Sequence, residues 1–119
     1  MANKVAVVVL ADTQTIESLG RVVNAMQTVK EFKEANEEVQ LIFDGAGTKW
    51  VAEFSKPDHR YRKLYDAVND KITGACSYCA SAFKVKDQVE AANVPLLEEF
   101  DGHPSLKKLV SQGYQVITF

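Results

Sequence analysis

The sequence predicts an α/β domain built on a parallel sheet. Residues 5–10 (VAVVVL) form a continuous apolar run rich in β-branched residues, which is typical of a strand buried on both faces. Apolar residues then recur at spacings of three and four from Ile16 to Phe32, which indicates a long amphipathic helix closing near residues 35–36. Because strand-like and helix-like segments alternate to the end of the chain, we expect right-handed crossovers and a sheet covered on both faces.

The middle of the chain continues this alternation. Residues 39–43 (VQLIF) form a second apolar run, and residues 49–54 (KWVAEF) have the length of a short helix. A further helix is predicted over residues 61–68, because aromatic and aliphatic residues recur there at spacings of three and four. Residues 72–75 are predicted as the third strand, which leads into a short helix of small residues.

The last part of the chain contains two helices and two strands. The predicted segments are a helix over residues 86–92, a strand over 95–100, a helix from Pro104 to Gly113 and a strand over 114–119. Proline suits the first position of a helix, so Asp101 or His103 is expected to act as the N-cap. The predicted order is therefore β-α-β-αα-β-α-β-α-β.

Composition and charge limit the class of protein. The chain has 119 residues, of which 46% are hydrophobic and 25% charged, with a net charge of −2. These values predict a single domain over residues 1–119 that does not bind nucleic acid. The first apolar run is too short to span a bilayer and lacks a convincing cleavage site, so we expect a cytoplasmic protein with no membrane partner.

Two cysteines are the strongest candidates for chemistry. Cys76 and Cys79 are the only cysteines in the chain and lie one helical turn apart, where the third strand is predicted to meet a helix. A helix start offers free N–H groups and the positive end of a dipole, so we expect the pKa of Cys76 to lie below that of a free thiol. A reducing compartment favours a working thiol over a structural disulfide. The alternative is that both cysteines are small buried residues without a function.

Three more polar residues follow predicted strands. Asp12 comes after the first strand, Asp44 after the second and His103 after the fourth. Because parallel strands end at a common edge of the sheet, we expect these side chains to share a rim with Cys76. Residues 45–47 (GAG) are interpreted as a tight turn, because the longer phosphate-binding fingerprint is missing.

Several functions fit these residues. A CxxC dithiol redox protein would use Cys76 as nucleophile and Cys79 as resolving thiol, although Pro95 follows the pair too soon for a thioredoxin arrangement. No cofactor is predicted, and no metal, because the cysteines and histidines lack the paired spacing of a zinc finger. An acyl-transfer enzyme would need a histidine base, which His103 could supply. A small-molecule-binding oligomeric module without catalytic activity would instead use the aspartates of the rim.

A sulfur carrier requires fewer functional groups, because one activated thiolate at an exposed helix start can accept sulfane sulfur as a persulfide and pass it on. Four parts of the sequence are informative together: the initial VAVVVLAD strand, the long first helix, the GACSYCASAFKV segment and the closing QGYQVITF. In these parts the sequence resembles the DsrE/DsrF-like (TusD/YchN-type) sulfur-relay family, and the resemblance covers nearly the whole chain.

This resemblance implies a three-layer α/β/α domain with a five-stranded, mainly parallel sheet. It implies a homo-oligomer, either a trimer or a hexamer, or hetero-oligomers with related subunits, and protein partners that donate and accept sulfur. Cys76 matches the family's sulfur-accepting cysteine, so the chain is predicted to be a sulfur carrier or sulfurtransferase-like protein with its persulfide on Cys76. Cys79 falls where many members have a small residue; it resolves the persulfide, forms a reversible disulfide or fills space.

Overall fold

The computed structural model describes residues 2–119, which form a five-stranded parallel sheet and six α-helices. The strands are β1 (Lys4–Val9), β2 (Glu38–Phe43), β3 (Ile72–Cys76), β4 (Leu96–Leu97) and β5 (Gln115–Thr118). The helices are α1 (Ile16–Glu34), α2 (Lys49–Phe54), α3 (Arg62–Val68), α4 (Ser77–Ala82), α5 (Lys86–Ala91) and α6 (Leu106–Ser111). The strand order is β4-β3-β2-β1-β5, with every neighbouring pair parallel. The predicted α/β class and five-stranded sheet are confirmed.

The position of β1 explains its unbroken apolar sequence. It pairs with β2 on one side and β5 on the other, so both of its faces are covered. Val5, Val7 and Val9 belong to a large core shared with α1 to α5, whereas Ala6 and Val8 belong to a smaller core under α6. The sheet therefore has helices on both faces, but five cover one face and a single short helix covers the other.

The long first helix begins and ends close to the predicted positions. Thr15 is the N-cap, and its Oγ1 accepts a hydrogen bond from the Ser18 N–H at 3.0 Å. Val22 and Met26 on the apolar stripe are fully buried, and Asn36, just past the helix end, has a left-handed backbone with φ of 59°. Within residues 2–119, neither this helix nor a shorter one combines the length and apolar character needed to cross a bilayer.

The predicted fourth strand is much shorter than expected. Only Leu96–Leu97 joins the sheet, instead of residues 95–100. Phe100 pairs instead with His103 across a tight turn, with N–H···O distances of 2.9 and 2.8 Å. Gly102 makes this turn with φ of 84°, a conformation that glycine adopts without strain. The turn removes the end of the predicted strand from the sheet and directs His103 toward the strand ends.

The last helix starts two residues later than predicted. Ser105, rather than Asp101 or His103, is its N-cap, because Ser105 Oγ accepts a hydrogen bond from the Lys108 N–H at 3.1 Å. Pro104 therefore precedes the cap instead of occupying the first helical position. His103 is left without a capping role.

The glycine loop after β2 packs directly on β1. It forms a 3₁₀ turn, Gly45–Thr48, and Thr48 is fully buried within it. A Cβ placed on Gly47 would lie 2.2 Å from the carbonyl oxygen of Val9. Only glycine therefore allows this approach of the loop to the backbone of the central strand.

Replacing this glycine is expected to destabilise the fold. Gly47→Ala should lower the free energy of unfolding by about 1–3 kcal/mol or more, because the clash is with backbone. Gly20→Ala is the matched control: Gly20 is exposed in α1, and an added Cβ meets no described atom within 4 Å beyond its own helix backbone. That variant should gain about 0.5–1 kcal/mol. Urea unfolding followed by circular dichroism measures both, and equal changes would contradict the close packing.

Candidate functional site at the carboxyl edge of the sheet

Four chemically active side chains meet at the carboxyl edge of the sheet. The loop after β2 supplies one, the junction of β3 and α4 supplies two, and the turn after β4 supplies the fourth. We call this set the carboxyl-edge cluster, and it consists of Asp44, Cys76, Cys79 and His103. One donor atom from each residue lies within 4.8 Å of all the others. The structure thus brings together three of the four side chains expected to share a rim, and adds the second cysteine.

Cys76 occupies the centre of the cluster. It is both the last residue of β3 and the N-cap of α4. Its Sγ accepts a hydrogen bond from the Cys79 N–H at 3.3 Å and lies 3.7 Å from the Gly102 carbonyl oxygen. The residue is 0% exposed. The prediction of an exposed thiol at a helix start is therefore wrong, because the turn that carries Gly102 and His103 lies against the sulfur.

The predicted direction of the Cys76 pKa is also wrong. Burial raises the pKa of the Cys76 thiol to about 12, and the negative charge of Asp44 adds to the rise. The Cys79 N–H lowers the pKa but is outweighed by the loss of hydration. Helix α4 has only six residues, so its dipole cannot compensate for complete burial. Near neutral pH the sulfur is therefore a thiol rather than a thiolate.

His103 is the proton acceptor closest to this thiol. Its Nδ1 lies 3.2 Å from Cys76 Sγ. When the imidazole proton is on Nε2, Nδ1 can accept the S–H of Cys76. The ring is held by the pairing of its backbone with Phe100 and by Tyr78, whose ring centroid is 4.9 Å away. This geometry is that of a nucleophilic cysteine with an adjacent base.

Cys79 is the more accessible of the two thiols. It is half-buried, and its Sγ lies 3.7 Å from Asp44 Oδ1. The same carboxylate oxygen accepts the Gly45 N–H at 2.8 Å, which holds Asp44 in place. A small reactant that approaches from solvent therefore meets Cys79 before Cys76.

Asp12 lies at the same edge of the sheet but outside the cluster. Its carboxylate forms an ion pair with Lys49 at 2.7 Å, and the hydrogen bond from Lys49 lowers the pKa of Asp12. The Lys49 ammonium also lies 5.6 Å from the centre of the Phe83 ring. Neither Lys49 nor Tyr78 was identified from the sequence, because Lys49 is an ordinary residue of a short helix and Tyr78 is one of the two residues between the cysteines, to which the CxxC pattern assigns no role.

Neither the glycine loop nor a large cavity supports a phosphate or small-molecule site at this edge. The N–H groups of Gly45 and Gly47 are both bonded to Asp44, through its side chain and its carbonyl oxygen respectively, each at 2.8 Å. They are therefore engaged within the loop rather than free for a phosphate. A cavity of about 660 Å³ lies at the other end of the sheet, near Ile72 and Pro95, and none of its lining residues belongs to the cluster.

Comparison with known proteins identifies a matching family, a relative in sequence and a structure with the same fold. The model of the DsrE/DsrF-like family matches residues 4–119. The uncharacterized protein MJ0733 of Methanocaldococcus jannaschii is 32% identical over 87 residues, which cover 73% of this chain and 70% of that protein. BT1422, a conserved protein of unknown function from Bacteroides thetaiotaomicron, has a structure with a TM-score of 0.64 that covers 96% of this chain and 94% of that one. Its sequence identity is 15%, so this match shows a shared fold.

The pH dependence of alkylation is expected to report the burial of Cys76. In Cys79→Ser, where Cys76 is the remaining thiol, iodoacetamide should react slowly near neutral pH. The rate should keep rising toward about pH 12, because the thiolate forms only as the pH approaches the raised pKa. The same variant unfolded in urea is the control, and its rate should level off above about pH 9. Intact mass gives both rates, and a folded profile that matches the unfolded one would contradict the raised pKa.

Proposed function

Because the chain belongs to the DsrE/DsrF-like family, we propose that it is a sulfur carrier that holds sulfane sulfur as a persulfide on Cys76. The observation that carries this proposal is the 3.2 Å contact between Cys76 Sγ and His103 Nδ1. It places a base next to a buried thiol that cannot ionise readily by itself. Cys79 provides a second, more accessible thiol within 4.8 Å of Cys76.

In this proposal, sulfur reaches the outer thiol first and then moves inward. Cys79 attacks the terminal sulfur of a donor persulfide, R–S–SH, so that an S–S bond forms at Cys79 and the donor leaves as R–SH. Cys76 passes its proton to His103 and attacks the terminal sulfur now held by Cys79. The S–S bond at Cys79 breaks, Cys76–S–SH forms, and His103 returns the proton to the Cys79 thiolate. Each transfer moves one sulfur atom between thiols, so neither an oxidant nor a reductant is required.

The surroundings of Cys76 suit the storage of a reactive sulfur. The turn that carries Gly102 and His103 keeps water away from the site, which limits side reactions of the persulfide. The Cys79 N–H lies 3.3 Å from Cys76 Sγ and can donate to the sulfur in its charged or neutral form. Release to an acceptor thiol follows the same path in reverse, through Cys79.

We also propose protein partners and a cytoplasmic location. A thiol relay requires a reducing compartment, where free cysteines persist. The Tyr78 ring lies against the His103 ring, and the Phe100 backbone pairs with that of His103. Because the two aromatic residues are 61% and 67% exposed, a donor or acceptor protein can dock on them beside the cluster. Self-association into a trimer or hexamer, which the family resemblance implies, stays a prediction that light scattering can measure.

A dithiol redox switch is the second candidate. Both cysteines are free, and their Sγ atoms lie within 4.8 Å of each other. If Cys79 attacks the inner sulfur of the Cys76 persulfide, a Cys76–Cys79 disulfide forms and H₂S leaves. A small-molecule thiol then reduces the disulfide and restores both cysteines.

The intact mass of the reduced protein after incubation with a sulfane-sulfur donor tests the carrier proposal. The parent protein should gain one sulfur atom, about 32 Da, which a reducing agent removes. Cys76→Ser should show at most a short-lived gain, because a persulfide on the accessible Cys79 exchanges back to the thiol that the donor releases. Cys79→Ser should still gain it, but more slowly, because the route through the outer thiol is lost. Each protein without donor is the control.

Each other outcome has a clear meaning. A stable gain in Cys76→Ser would place the persulfide on Cys79 and contradict the proposal. Loss of two hydrogens from the parent, without a sulfur gain, would favour the dithiol switch. Absence of any mass change in the parent would contradict both candidates.

The role of His103 is tested separately. His103→Gln should slow sulfur loading on Cys76 by about 10²-fold or more, because glutamine can form a hydrogen bond but cannot take the proton. His59→Gln is the matched control, since His59 is the other histidine in the chain and packs edge-on against Phe54 outside the cluster. Mass spectra of samples quenched over time give the rates. Equal rates in the two variants would exclude His103 as the base.

A further inference from the structure

We propose that the carboxyl-edge cluster is also a binding site for one divalent, thiol-seeking metal ion, with Zn²⁺ as the ion it fits best. The cluster offers two sulfur atoms, one imidazole nitrogen and one carboxylate oxygen, all within 4.8 Å of one another. These are the donor types that zinc takes in tetrahedral protein sites. The spacing of the cysteines and histidines predicted no metal, and this proposal departs from that prediction because two of the four donors are brought in by the fold from Asp44 and His103.

The distances between the donors match a tetrahedral ion. With Zn–S bonds of about 2.3 Å and Zn–N or Zn–O bonds of about 2.0–2.2 Å, the donors of such a site lie about 3.3–3.8 Å apart. Here Cys76 Sγ and His103 Nδ1 are 3.2 Å apart, and Cys79 Sγ and Asp44 Oδ1 are 3.7 Å apart. Since the widest separation is at most 4.8 Å, shifts of about 1 Å in side chains bring all four donors onto one ion.

The fold holds the donors on short, well-anchored segments. Cys76 ends β3 and Cys79 lies one turn along α4, so both sulfurs point to the same side. Asp44 Oδ1 accepts the Gly45 N–H, which orients the carboxylate and leaves further lone pairs for a metal. The paired turn with Phe100 fixes His103. The ligands come from three strand ends that parallel pairing already places side by side.

The contacts already present place each sulfur beside one of the other two donors. One contact joins the Cys76 thiol to His103, and a second joins the Cys79 thiol to Asp44. A metal ion takes the place of thiol protons, because sulfur coordinates as thiolate. An ion bound between the two contacts would therefore have a sulfur and a nitrogen or oxygen donor on each side.

Metal binding and sulfur transfer compete for the same sulfur atoms. A coordinated Cys76 thiolate is not free to attack a persulfide, so the metal-bound protein should resist sulfur loading. The two proposals can nevertheless fail independently, because metal binding is measured from spectra, whereas sulfur loading is measured from mass.

Anaerobic titration of the reduced full chain with Co²⁺ tests the site. Tetrahedral Co²⁺ with thiolate ligands gives strong visible bands and a thiolate charge-transfer band in the near ultraviolet. We expect one Co²⁺ per chain and its displacement by one equivalent of Zn²⁺.

Variants of the oxygen and nitrogen ligands separate a four-ligand site from binding to the two cysteines alone. Asp44→Asn and His103→Gln should each weaken Zn²⁺ binding by more than the roughly 10–100-fold cost of losing an outer-shell partner. Asparagine can still accept the Gly45 N–H, so Asp44→Asn is expected to fold. His59→Gln is the matched control and should bind as the parent does.

Two results would overturn the proposal. They are spectra without thiolate–Co²⁺ bands and unchanged affinity in both ligand variants. Circular dichroism checks the fold of each variant. If a variant fails to fold, the spectrum of the parent protein still decides.

Discussion

The parallel pairing of β1 with both β2 and β5 is the constraint on which the rest of this structure depends. A central strand covered on both faces requires a core on each side, and it requires every connection to cross over and return to the same end of the sheet. The loops that follow β2, β3 and β4 therefore leave at a common edge. Residues that are far apart in sequence become neighbours there, which is why this small domain can assemble a reactive cluster.

Features that carry their own local signal could be predicted from the sequence. The buried run of β1 and the apolar stripe of α1 are each encoded within a few residues, and each lies where it was expected. The edge shared by Asp44, Cys76 and His103 could also be anticipated, because it follows from topology rather than from side-chain packing. Membership of the DsrE/DsrF-like family was likewise visible in short segments spread along the chain.

Features that depend on competition between segments could not be predicted in this way. The fourth strand stops at Leu97 because the Phe100–His103 turn satisfies backbone groups that the sheet would otherwise pair. Ser105 replaces His103 as helix cap because its hydroxyl reaches an N–H group of the first turn. The burial of Cys76 depends on a turn that arrives about a quarter of the chain later. A local electrostatic argument therefore had the wrong sign for its pKa, since the decisive effect, loss of hydration, comes from tertiary packing.

The double position of Cys76, at the end of a strand and at the cap of a helix, couples its chemistry to backbone order. Its Sγ accepts the Cys79 N–H, a group that has no partner within α4 itself. A charged sulfur accepts this hydrogen bond more strongly than a neutral thiol does. A change in the charge of Cys76 Sγ therefore changes the stability of the first turn of α4. By thermodynamic linkage, fraying of that turn changes the affinity of the sulfur for a proton or another bound group. The conformational order of the six-residue helix α4 therefore depends on the chemical state of the Cys76 sulfur.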